Sequence, residues 1–340
     1  MIVLRLIPLL CLLIASLVLP AAAEELVVAT FGGTFVENSK KCHAAAFEKA
    51  TGATVKYVLG SSVQTAAKMR AAGARAEFDV AYMDSQIVKQ MKAEGLLQPL
   101  EPAKIAGWGD LYDASKDKDS YWVSMMFAGT IITYNTNLVK TPPTSWADLW
   151  KPEWKGKLAI PDISGTSGQQ FLMAAARING GSVENINPGF EAIKRLKPNV
   201  QMMYTQPDQI IPLFERGDIA VAVWYTDRTG AAATKGVPVA AAYPKEGAIG
   251  IVPTVSVPKA SQKRDLAQMY IAALLSPEGQ LCFAQSQFAG PTNKKVQLPA
   301  DLAKLVPFGD LVQRMYFPDT DFVARKFPEW SERWGREIAR

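Results

Sequence analysis

Apolar positions in this chain come in short β-branched runs, separated by longer stretches in which they recur every three or four residues. The first run, Glu25-Leu-Val-Val-Ala-Thr30, reads as a buried strand that Phe31-Gly32-Gly33-Thr34 breaks. Over 36–51, Ala44, Ala45, Phe47 and Ala50 form one helical face, and Gly52 stands where a left-handed C-cap belongs. The pattern then predicts a strand over 53–59 and a helix over 62–72 facing inward through Val63, Ala66, Ala67 and Met69. A strand over 78–82 and a helix over 85–94, ended by Gly95, follow. This alternation predicts a largely parallel sheet with helices on both faces.

The pattern changes at 122–134, an extended segment passing through Ala128 and Gly129. Ser145 caps a short helix, and turn-rich residues follow to Gly156. A second unit then reads as strand 158–160, helix 169–178, helix 190–196, strand 200–204, helix 209–216, strand 219–224 and helix 226–234. After Gly250 an alternating strand (Ile251, Thr254, Ser256) and a helix over 264–275 resume, and the tail 301–340 is mostly helical and rich in aromatics. Two α/β units joined by extended segments predict two lobes with a cleft between them. Ligands of open parallel sheets lie beyond the C-terminal strand ends, here 31–34, 83–85, 162–167, 224–227 and 250–254.

Composition narrows the function. With 340 residues, 49% of them apolar and 20% charged, the chain has enough core for one large or two ordinary domains. Arg5, the apolar stretch 6–19 and Ala21-Ala22-Ala23 predict a secretory leader cleaved after Ala23. No later apolar run is long enough to span a membrane, so the expected mature protein is exported and soluble. The net charge of +5 is dispersed among acids, as in Lys116-Asp117-Lys118-Asp119, and shows no basic stripe for nucleic acid. The single histidine, His43, and three cysteines leave no His-clustered or four-Cys metal site. No phosphate-binding glycine motif is present, so no cofactor is predicted. Cys42 and Cys282 remain after processing, either paired in an oxidising compartment or as two separate buried thiols.

Thr144-Ser-Trp-Ala-Asp-Leu-Trp-Lys-Pro-Glu-Trp-Lys-Gly-Lys157 strongly resembles a signature of spermidine/putrescine-binding periplasmic proteins. Phe78-Asp-Val, Met91-Lys-Ala-Glu-Gly95, Tyr243-Pro-Lys-Glu-Gly-Ala248 and Pro277-Glu-Gly are similar to further family segments in the same order, so the resemblance covers nearly the whole mature chain. It implies a type II periplasmic binding protein fold of the α/β class, with two lobes, each a mainly parallel sheet flanked by helices, and a ligand cleft between them. Lobe 1 is expected over 24–128 with 252–291 returning to it, and lobe 2 over 129–251 with the helical segment 292–340. The implied function is capture of a small solute by lobe closure and delivery to the inner-membrane permease of an ABC importer, by a periplasmic monomer.

Polyamine binders of this family pair the cationic chain with several carboxylates and cover its stem with aromatic rings. Here the first-loop segment is Gly32-Gly33-Thr34-Phe35, with Thr34 at the glutamate position. Ile163 stands near an aspartate position beside Asp162, and Ile251-Val252-Pro253 replaces a Trp-x-Asp. Trp224 keeps the aromatic, and Asp84 is a new acid where serine is common. With most carboxylates gone, a carboxylate-bearing zwitterion or anion (an opine, an amino-acid derivative or a small organic acid) fits at least as well as a polyamine. The expected contacts are Phe31, Gly32, Gly33 and Thr34 in the first loop; Asp84 and Ser85; Asp162, Ser164, Thr166 and Ser167 at a helix start; and Trp224, Tyr225, Asp227, Arg228 and Ile251. Free helical N–H groups and hydroxyls over 164–168 favour an anion, and Arg228 could clamp a carboxylate. Each has a structural alternative, as turn (Gly32, Gly33), cap (Asp84, Asp227, 164–168), core (Trp224) or surface (Arg228). Trp146, Trp150 and Trp154 are expected to pack the lobe. An enzyme with a cysteine nucleophile on the same scaffold is the competing reading, although His43, adjacent to Cys42 on a helix, would not face it.

Overall fold

The computed structural model describes residues 23–339, so the expected leader lies, up to Ala22, outside the described residues. The chain begins with β1 (Glu25–Thr30), α1 (Thr34–Ser39), a π-helical turn (Lys40–Ala44) and α2 (Ala45–Thr51). Next come β2 (Thr54–Leu59), α3 (Ser62–Ala72), β3 (Val80–Asp84), α4 (Ser85–Ala93) and β4 (Leu97–Gln98). The long helix expected over 36–51 is therefore a composite, and Gly52 closes it at φ 73°, a backbone state that glycine adopts without a Cβ penalty. Ser61 starts α3 with a capping box shared with Gln64.

The chain then leaves through β5 (Trp122–Val123) and β6 (Met126–Asn135). The second unit comprises β7 (Leu158–Pro161), α5 (Thr166–Ile178), α6 (Asn187–Leu196), β8 (Val200–Tyr204), α7 (Ile211–Arg216), β9 (Val221–Tyr225), α8 (Thr226–Thr234) and β10 (Val239–Ala242). It returns through β11 (Ile249–Ile251) and β12 (Pro253–Pro258), followed by α9 (Arg264–Leu275), α10 (Pro277–Gln287) and β13 (Gly290–Pro291). The tail carries α11 (Ala300–Ala303), α12 (Asp310–Arg314) and α13 (Thr320–Glu337).

Among the described residues the first sheet runs β2-β1-β3-β12-β4, with β5 also on β12. The second runs β10-β6-β9-β7-β8, with β11 and β13 also on β6. β1 lies parallel to β2 and β3, and β7 parallel to β8 and β9. β12 and β6 are antiparallel to all their neighbours. The α/β class is as expected, and the pairing is more mixed than a mainly parallel sheet. The βα strands point their C-terminal ends at the cleft, whereas a strand entering a lobe from the cleft must run the other way.

Each sheet has its own core. Phe47, Tyr82 and Tyr270 are buried in the first lobe, and α9 packs there. Trp146, Phe171, Phe190, Trp330 and Trp334 are buried together in the second, so α13 belongs to that core. The indole N–H groups of Trp146, Trp150 and Trp154 donate to the carbonyls of Gly247, Ala192 and Asp148 at 2.8–3.0 Å, so these rings pack the lobe, as expected. Of the two states open for the cysteines, the structure has the disulfide: Cys42 in the π-helical turn is bonded to Cys282 on α10, with Cα atoms 5.5 Å apart. Where the lobes join, β6 and β11 run side by side in opposite directions with Gly129 opposite Gly250.

Candidate functional site

A cavity of about 190 Å³ lies where the βα strand ends of both lobes meet the crossover. Lobe 1 contributes Asp84, Ser85 and Gln86, and lobe 2 contributes Thr166, Gln169, Gln170, Met173 and Tyr225. Gly250 and Ile251 come from the crossover, and Pro318, Thr320 and Val323 from the tail. The helix α5 supplies its share because Thr166, Gln169, Gln170 and Met173 follow the i, i+3, i+4, i+7 spacing of one helical face. Hollows of 300 and 600 Å³ lie elsewhere, one at the opposite edge of the first sheet around Met69 and Phe78, the other beside the disulfide.

Asp84 ends β3 and stands at the N-cap position of α4, yet its side chain caps nothing. Ser62 Oγ donates to its Oδ2 at 2.9 Å, and its own N–H donates to Ser62 Oγ at 3.0 Å. Burial pushes the Asp84 carboxyl above the usual carboxylate range, and the Ser62 hydroxyl partly offsets this. Tyr225 ends β9, and its hydroxyl accepts the N–H of Ser167 at 3.0 Å. Burial raises that phenol too, against the contacts from Ser167. Gln170 is buried and ties the crossover together: Thr130 Oγ1 donates to its Oε1, and its Nε2 donates to the Gly250 carbonyl at 3.0 Å. The helices α4, α5 and α8 all begin at this cavity, with N-caps Asp84, Gly165 and Tyr225, and none has a side-chain cap. Their first N–H groups present positive partial charge there.

Of the expected contacts, the structure brings Asp84, Ser85, Thr166, Tyr225 and Ile251 into one lining, with Ser167 behind Tyr225. The first loop is elsewhere. Phe31 packs edge-on against Phe35 and Tyr82, and Gly32, Gly33 and Thr34 are exposed outside the lining. Gly33 has φ 66° with open space around it, so it serves the entry into α1. Asp162 accepts from the N–H and Oγ of Ser164 and from Trp334 Nε1 at 3.1 Å, so both residues sit in an Asx turn that anchors α13. Gly168 lets that turn approach α5, since a Cβ there would lie 2.0 Å from the Asp162 carbonyl oxygen. Trp224 is fully buried beside Phe214, on the face opposite Tyr225, as alternation along a strand requires. Asp227 lies in the first turn of α8 outside the lining; burial pushes its carboxyl up and Arg228 partly opposes this. Arg228 is exposed and faces Asp208 at 3.4 Å. Gly250 falls within the expected strand-end range 250–254, whereas sequence reasoning missed Gln86, Gln169, Gln170, Met173 and the three tail residues. The helical spacing after Thr166 could have found the α5 face, whereas nothing local marks the tail. Among the described residues no group of His, Cys, Asp and Glu could hold a metal ion.

Two α/β lobes with a small cavity between them define a solute-binding protein, and the chain belongs to the bacterial extracellular solute-binding protein family, whose sequence profile matches residues 43–308. The chain is similar to the spermidine/putrescine-binding periplasmic protein of Escherichia coli (strain K12), 26% identical over 245 residues and covering 68% of each chain. Among solved structures, an ABC transporter protein from Clostridium perfringens is 27% identical with a TM-score of 0.81, covering 92% of this chain and 99% of that one. The Atu4243–GABA receptor shares the fold at 23% identity and a TM-score of 0.76, over 92% of this chain and 97% of its own. The class is that of the solute-binding components of ABC transporters, which bind small molecules and work with permease subunits.

Proposed function

We propose that the interlobe cavity captures a small zwitterion carrying one ammonium and one carboxylate, and that the closed protein delivers it to the permease of an ABC importer from the periplasm. One observation carries the reading: Asp84 is the sole carboxylate among the described residues that line the cavity. It can pair a single ammonium. A polyamine would bury a second cationic centre without a partner, a cost of several kcal/mol (~2 or more). The remaining lining suits the opposite charge, through the hydroxyls of Ser85, Thr166 and Tyr225, the amides of Gln86 and Gln169, and the uncapped N-terminus of α4. The cavity is smaller than the roughly 300 Å³ at which drug-sized sites begin, which favours a compact solute.

The second reading is a polyamine, as the name of the Escherichia coli relative indicates for that protein. A cysteine-nucleophile enzyme has no support, because Cys42 and Cys282 are bonded to each other. Thermal-shift measurements with opines, amino acids, small dicarboxylates, putrescine and spermidine decide. The zwitterions should raise the melting temperature in proportion to their binding. Stabilisation by putrescine or spermidine alone would overturn the reading.

A further inference from the structure

The tail segment 315–323 touches the hinge, the cavity and the first lobe, although α13, which begins within it at Thr320, is built into the second. At the hinge, the Gly250 N–H donates to the Tyr316 carbonyl at 2.8 Å, and the Tyr316 N–H donates to the Ala248 carbonyl at 2.9 Å, so the segment adds a short parallel rung to β11. The crossover glycines are shaped to receive it. A Cβ on Gly250 would lie 2.2 Å from the Phe317 ring, and one on Gly129 would lie 2.9 Å from the terminal carbon of Met315. The paired glycines thus leave room for two tail side chains at the point where the lobes pivot. Just beyond, Pro318 and Thr320 form part of the cavity wall. There the segment meets lobe 1, where Lys89 on α4 donates to Thr320 Oγ1 at 3.0 Å and stands 3.8 Å from Asp321.

We infer that 315–323 is a strap that positions the lobes, resting on the Gly129–Gly250 crossing at one end and latched to lobe 1 through Lys89 at the other, with Thr320 as the residue through which latch and cavity communicate. Motion of lobe 1 about the crossing carries α4, and with it Lys89, towards or away from a strap that α13 holds on lobe 2. The latch therefore favours the arrangement in which the cavity is walled on its third side. In this arrangement Lys89 is a positioning residue, since the strap and not the ammonium of Lys89 meets the cavity. The inference goes beyond the ligand reading and stands or falls without it.

The test uses the full mature chain without solute. Lys89→Met removes the latch and leaves the half-exposed aliphatic stem. It should widen the lobe separation in small-angle scattering. It should also speed amide exchange at Gly250 and Tyr316 about two- to fivefold, the range set by one partly exposed ion pair, while amides of β1 stay at the parental rate. Phe317→Ala, which vacates the space over Gly250, should speed the same two amides with the latch intact. Exchange unchanged at Gly250 and Tyr316, acceleration equal to that in β1, or scattering identical to the parent would each overturn the strap.

Discussion

The disulfide makes a prediction whose size follows from where it sits. Cys42 and Cys282 are separated by 240 positions, and the loop they close contains every strand of the second sheet except β13. Both ends belong to lobe 1, Cys42 within its first helical run and Cys282 on α10. A cross-link that restricts the unfolded chain removes entropy of about 2.1 + 1.5R ln n cal/mol/K, which for a loop of this length is roughly 18 cal/mol/K, or about 5 kcal/mol at 25 °C. Losses measured on removing native disulfides run about 2–5 kcal/mol, and whole domains are stable by about 5–15. The Cys42→Ala/Cys282→Ala variant should therefore lose a large share of its stability. Urea unfolding followed by tryptophan fluorescence and extrapolated to water gives the difference, and its slope should rise because the uncrosslinked chain exposes more surface. A loss under about 1 kcal/mol with an unchanged slope would refute the argument that the bond acts by restricting the unfolded chain.

Two further outcomes follow from buried titrating groups. Because burial raises the Asp84 carboxyl, folding holds its proton to higher pH than the unfolded chain does, so the ionised group costs stability above that raised value. Asp84→Asn should accordingly melt higher at pH 7 without solute, yet bind a stabilising zwitterion at least about 30-fold more weakly once its ammonium lacks a partner; a lower melting point with unchanged affinity by calorimetry would contradict both halves. Burial lowers the His43 ring pKa to about 3, with the Gly279 backbone opposing. The unfolded chain then takes up the proton first, so stability is lost as pH falls below about 6.5, by up to about 2.7 kcal/mol at pH 4.5. His43→Leu should flatten that acid limb in urea titrations, and a limb of equal slope in the variant would remove His43 as its source.

Much of the fold was written in local pattern. The first strand, the α3 start at Ser62, the β8 run and the α8 helix are where periodicity placed them, because apolar pattern and flanking breakers mark each one locally. The cavity was legible where it depends on strand ends, as at Asp84 and Tyr225. It was misplaced where neighbouring positions compete for the same inference. Trp224 and Tyr225 differ by one position, and alternation sends the larger ring into the core. Asp162 and Ser164 carry the spacing of an Asx turn, and that local bond accounts for the aspartate. Arg228 stands near the strand end in sequence but on the exposed side of α8. The tail wall could not be read at all, since the tail reaches the cavity only through the contact of Thr320 with α4 and of Tyr316 with β11, far away in the chain.

The interleaving of the chain between its sheets also has a consequence for how it can be handled before it folds. The first sheet lacks its central β12 until residues beyond 253 have followed, and the second core lacks Trp330 and Trp334 until the chain is nearly finished. Pairings of such wide sequence separation form slowly and late. A polypeptide emerging amino end first thus holds no completed unit while its tail is still missing, and it reaches its locked form only after the last segment is free.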